Sequence, residues 1–154
     1  MITIIFYLFL VTNDRKVIAN LAGHNKRSET MDGYFENEFA IFWISEQMLF
    51  FEYKPDVVID LAAAQLVVAD RIQMQKEKAY PVLCDIRGIA DSDKAARDYL
   101  AQHGSLLTKA VGVVAHRSMS ILMISFYLKI SKPQVPTRVF TDKSAALEFL
   151  KAFV

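Results

Sequence analysis

"YPVLCDIRGIADSDKAARDYLAQHGSLLTKAVGVVA", residues 80–115, places two short apolar runs on either side of a polar, helix-forming stretch. "YPVLCDI" (80–86) is apolar at consecutive positions and too short for a core helix, which predicts a strand buried on both faces. Asp91 or Ser92 stands where a cap should open the helix "DKAARDYLAQH" (93–103), and Gly104 stands where a left-handed residue should close it. "AVGVVA" (110–115) is the next buried strand. Strand, helix and strand in this succession require parallel pairing through a right-handed crossover.

The pattern extends in both directions. Upstream, "FAIFWIS" (39–45) and "MLFFEY" (48–53) are rich in aromatic and branched residues and are separated only by Glu46 and Gln47, a hairpin signal. "KPD" breaks the second strand, and Asp60 can cap "LAAAQLVVADRIQMQKEK" (61–78), in which Leu61, Ala64, Val68, Ile72 and Gln75 recur at helical spacing. Its Lys-rich end suits the carbonyl terminus of a helix. Downstream, Ser118 or Ser120 opens "MSILMISFYLKIS" (119–131), and "KPQVP" ends it because proline cannot continue the ladder. "TRVFT" (137–141) is a last strand, and Asp142 caps "KSAALEFLKAF" (143–153), with Ala146, Leu150 and Phe153 on one face. The expected fold is α/β, order ββαβαβαβα, an antiparallel N-terminal hairpin joined to a largely parallel sheet.

Composition narrows the function. A chain of 154 residues, 53% hydrophobic and 23% charged, is one folded domain in the main. Eighteen basic against 17 acidic residues leave a net charge of +1, too little field to hold nucleic acid or an anionic membrane. Cys84 is the single cysteine; it sits in an apolar run, reads as an inert thiol, and agrees with a reducing cytoplasm. "MITIIFYLFLV" (1–11) is apolar at every position but Thr3, yet too short to span a bilayer, and Arg15 and Lys16 follow the run where a signal peptide would carry charge before it. Residues 1–33 are expected to be an N-terminal extension, either an extra packing element or sequence upstream of an initiator at Met31. Residues 34–154 form the expected domain.

The phrases "EYKPDVVIDLAAAQLVVADRI", "YPVLCDIRGI", "AARDYLAQHG" and "SFYLKISKPQVPTRVFTDKSAALEFL" resemble the STAS-like (SpoIIAA-like) proteins of Bacteroidetes, over roughly residues 35–153. The resemblance implies a small domain that binds protein partners or ligands and does no chemistry. Some such domains are switched by phosphorylation of a serine that opens a helix and follows an aspartate, the position held here by Asp91-Ser92. Where those relatives continue with serine and glycine, this chain has Asp93 and Lys94, and Asp93 would repel a phosphate. Ser92 is therefore either a helix cap or a phosphoacceptor.

Ligands of open parallel sheets collect beyond the carboxyl ends of the strands. Those ends carry Asp85 and Arg87, then His116, Arg117 and Ser118, then Thr141 and Asp142. Arg87, His116, Arg117 and Ser118 are the candidate set for an anion, beside a helix N-terminus; alternatively Ser118 caps and Asp85 pairs with Arg87 or Arg71. Phosphate-loop, dinucleotide and nucleophile-elbow signatures are absent, and the histidines (His24, His103, His116) are scattered, so no catalytic residue, metal site or cofactor is expected. The 119–131 segment is apolar nearly all round, with Phe126 and Tyr127 as a candidate partner surface if it is not doubly buried. The reading that results is a non-enzymatic, cytoplasmic regulatory or scaffolding domain acting through protein contact, with a homodimer as one form. The alternative is a sensor of a small anionic metabolite or a lipid.

Overall fold

Side chains alternate across a strand, and on the second strand of the hairpin both sets are apolar: Leu49, Phe51 and Tyr53 enter one core, Met48 and Phe50 the other. A strand buried on both faces belongs in the interior of a sheet with cover on each side. The computed structural model, which describes residues 33–116 and 133–154, has that form. Its elements are β1 (Tyr34–Glu36), β2 (Ala40–Ser45), β3 (Met48–Tyr53), β4 (Val57–Ile59), α1 (Leu61–Gln75), β5 (Tyr80–Asp85), β6 (Ile89–Ser92), α2 (Lys94–His103), β7 (Thr108–Val114), β8 (Thr137–Phe140) and α3 (Lys143–Leu150), closed by a 3₁₀ turn, Lys151–Phe153.

Six strands form the main sheet in the order β1-β2-β3-β5-β7-β8. β1, β2 and β3 pair antiparallel, and β3, β5, β7 and β8 pair parallel. Glu46 and Gln47 turn the hairpin with left-handed φ of 49° and 60°, so two non-glycine residues make the turn that matches strand twist. Ala63, Ala64 and Val67 of α1 and Ala96 of α2 pack with Phe42, Phe51 and Val82 on one face. Ala146 and Leu150 of α3 pack with Met48, Leu83, Ala110 and Val114 on the other. The expected α/β class, with antiparallel N-terminal strands on a mixed sheet, is the one observed.

Several local expectations need correction. β1 and the two-stranded parallel sheet β4–β6 were not in the expected order. Because Val58 pairs with Asp91 and Ile59 with Ser92, those two residues are held in β6, and neither caps a helix. The cap passes to Asp93, whose backbone is extended and whose Oδ1 accepts from Ala96 N at 2.7 Å. Asp60 and Asp142 do cap, accepting from Ala63 N at 2.8 Å and Ala145 N at 2.9 Å.

Gly104 is right-handed (φ −65°), because the turn after α2 tightens through Gly104 N to Leu100 O and Leu106 N to His103 O. The left-handed residue is Leu107, at φ 54°. α1 ends at Gln75, short of the Lys-rich tail, with Lys76 left-handed at its carboxyl end. Its buried face carries Arg71 and Gln75, while Leu61 is 39% exposed. The expected extension 1–33 (Gly33 apart), Arg117, Ser118, and the 119–131 segment with Phe126 and Tyr127 lie outside the described residues.

Candidate functional site

Register brings the carboxyl ends of three parallel strands to one level: Glu52 of β3 lies beside Asp85 of β5, and Asp85 beside Val114 of β7. Beyond them lies a hollow of about 330 Å³ lined by Glu52, Tyr53, Asp56, Asp85, Arg87 and His116, with Pro55 and Gly88 at its wall. Gly88 allows the close approach that shapes it. A Cβ there would stand 2.3 Å from Lys54 O and 2.4 Å from Tyr53 O, so the loop after β5 rests directly on the backbone that leaves β3. Val57 N donates to Gly88 O at 3.2 Å and carries the contact into the β4–β6 pair.

Two ion pairs dominate the charge. Arg87 grips Asp85 as a fork: Nη2 lies 2.6 Å from Oδ2 and Nε 2.9 Å from Oδ1, while the Arg87 backbone N–H donates to Oδ1 at 3.1 Å. Burial pushes the Asp85 carboxyl up, but the hydrogen bonds from Arg87 and the charges of Arg87 and Lys143 outweigh it and hold the group below its usual range. The hydrogen bond to Asp85 raises Arg87 in turn, with Glu52 and Asp142 adding to the effect. Lys143, the first residue of α3, bonds Glu52 Oε1 and also lies 5.6 Å from the Trp43 ring centroid. Among the described residues, Arg87 and Lys143 are therefore each held by a carboxylate.

Of the predicted anion set, Arg87 and His116 line the same hollow, with His116 exposed, and the alternative pairing of Asp85 with Arg87 is the one formed. Arg71 lies elsewhere. It is 2% exposed, under α1, and gives its guanidinium to Gln75 Oε1, Leu106 O and Gly104 O. Ser92 does not line the hollow; its carbonyl accepts from Arg97, whose Nη1 is 3.5 Å from the Ser92 hydroxyl. Sequence reasoning missed Glu52 and Lys143, which are 91 positions apart and carry no short-range signal. Burial, then the charge of Asp85, push the Cys84 thiol up to about 12, which favours the protonated form over the thiolate. Among the described residues no cluster of histidine, cysteine and carboxylate could hold a metal ion, and no helix is long and apolar enough to cross a membrane.

A family model described as "Domain of unknown function (DUF7793)" matches residues 42–154. The chain belongs to this family. Among solved structures, the DUF7793 chain is similar to an uncharacterised protein of the DUF3478 family with a SpoIIAA-like fold from Shewanella loihica PV-4. The TM-score is 0.54 at 14% identity, over 81% of this chain and 99% of that one. It is also similar to an anti-sigma factor antagonist from Mycobacterium paratuberculosis, with a TM-score of 0.49 and 15% identity over 80% of this chain and 99% of that one. A search of curated proteins found no match. At 14% identity the likeness to the DUF3478-family structure is one of fold, and it agrees with the SpoIIAA-like architecture expected from the sequence.

Proposed function

We propose that this DUF7793 domain is a regulatory or scaffolding module that works in the cytoplasm by protein contact, through the loops at the carboxyl ends of β3, β5 and β7, and catalyses no reaction. The observation that supports this reading is the pairing of the two described cations there, Arg87 and Lys143. Arg87 is committed to Asp85 and Lys143 to Glu52, so a small anion would have to displace a carboxylate from a fork already made. The hollow is lined by three carboxylates, one guanidinium and one imidazole, a mixed-sign rim of the kind that sets register between proteins.

The test is affinity capture from native lysate with the native chain and with an Asp56→Lys, His116→Asp double variant, both positions being exposed. A partner retained by the native chain and lost by the variant supports the proposal. A chain that captures nothing specific, yet is stabilised by an anionic metabolite or a lipid, would transfer the site to the sensor reading. A ligand at about a hundred times its dissociation constant adds roughly 2.7 kcal/mol, a thermal shift that is easily seen.

A further inference from the structure

The second face of the antiparallel strands is aromatic, and of its described aromatic residues only Phe50, at the edge of the α3 core, is claimed by either core. Ala40 and Phe42 of β2 enter the α1 core, so Ile41 and Trp43 project to the opposite side. There Trp43 stacks on Phe50, with centroids 5.0 Å apart and planes 2° from parallel. Tyr34, the register partner of Trp43, is 37% exposed. α3 packs on β5, β7 and β8, and its first residue, Lys143, borders this patch, with Nζ 5.6 Å from the Trp43 ring centroid and 6.0 Å from that of Phe50. Tyr34, Ile41, Trp43 and Phe50 thus form an apolar face, rimmed by the Lys54–Glu36 pair at 2.6 Å and the Lys143–Glu52 pair. Aromatic centres with a polar rim are the composition of a docking surface.

We propose that this face seats the apolar segment "MITIIFYLFLV", residues 1–11 of the same chain. The inference stands apart from the strand-end reading above. The segment lies upstream of the residues matched by the family model and joins the described chain at Gly33, one residue before β1, on the border of the patch. A random coil as long as residues 12–32 would span about 25 Å on average, against about 10 Å across the two strand spacings from β1 to β3. Reach is therefore not limiting, and the tether supplies an effective concentration on the order of millimolar. A second copy at micromolar concentration competes poorly with that. Docking also removes this apolar run from water.

Trp43 is the only tryptophan in the sequence, and this makes the test direct. In the full chain, Leu8→Cys takes a thiol-reactive nitroxide label, Cys84→Ala removes the other thiol, and Trp43 emission is read. Phe6→Cys provides a second label site. Docking predicts that Trp43 emission falls about twofold or more, because a segment at about millimolar effective concentration is seated most of the time. Labelled chain that also carries Trp43→Phe, added to unlabelled protein, should leave the emission unchanged. Unquenched emission with both label sites would overturn the proposal. Equal quenching by chain added in trans would also overturn it, and would give the face to a second copy.

Discussion

Arg71 offers the sharpest test of how this fold holds its loops. The side chain is 2% exposed and donates to Gln75 Oε1, to Leu106 O at 2.9 Å and to Gly104 O at 3.3 Å. Gln75 continues the clamp, with Nε2 reaching Leu107 O at 2.8 Å and Lys78 O at 3.0 Å. Together they fasten the turn that contains left-handed Leu107 and delivers the chain into β7. Burial is the main cause that lowers the guanidinium to about 10 from 12.5, and at 1.36 kcal/mol per pKa unit the charged form costs about 3 kcal/mol. Three hydrogen bonds from a charged donor return about 1.5–3 kcal/mol each. Arg71→Met keeps the volume, relieves the burial cost and strands two backbone carbonyls, so a net loss of about 2–5 kcal/mol follows. Urea unfolding should show the midpoint falling with little change in slope, and amide exchange should speed up first at residues 104–108. A variant within about 0.5 kcal/mol of the native chain would refute this accounting, since the clamp would then contribute nothing beyond its own desolvation.

Three further outcomes are expected. Gly88→Ala should destabilise by about 1–3 kcal/mol, because the new Cβ meets the carbonyls of Tyr53 and Lys54 and backbone must move; thermal melts would measure it. Arg87→Ala removes the fork that holds Asp85 below its usual range. The native pair contributes stability above about pH 4 that is lost as the pH falls below it, so the variant should lose about 0.5–1.5 kcal/mol at pH 7 and begin acid unfolding at higher pH, followed by circular dichroism. Native Cys84 should react with a thiol reagent at pH 8 roughly a thousandfold more slowly than in the unfolded chain, as its thiolate is nearly absent; an equal rate would contradict its placement.

The hairpin, the capped helices and the parallel core were legible because each rests on local or periodic signals. Aromatic runs flank Glu46 and Gln47, aspartates precede α1 and α3, and "YPVLC" is apolar throughout. β4 and β6 escaped for the opposite reason. They have three and four residues, and "IADS" has no strand pattern of its own until β4 pairs with it, which moved the cap from Ser92 to Asp93. At the site, Asp85 and Arg87 are two residues apart and could be read together. Glu52 and Lys143 meet only because β3 and the start of α3 end on the same side of the sheet, which sequence spacing does not encode. Arg71 and Gln75 were legible as helical positions, but the charge on Arg71 hid its burial, since arginine is seldom fully buried in a core.

One topological feature bears on how the chain is made. Read across the main sheet, the strands stand in the same sequence in which they leave the ribosome, each new one added at the outer border of those before it. Among the described strands no later one must be wedged between earlier partners, and each crossover closes a modest length of chain. Synthesis at roughly 5–20 residues per second can therefore lay the molecule down from one side to the other, with the hairpin as template.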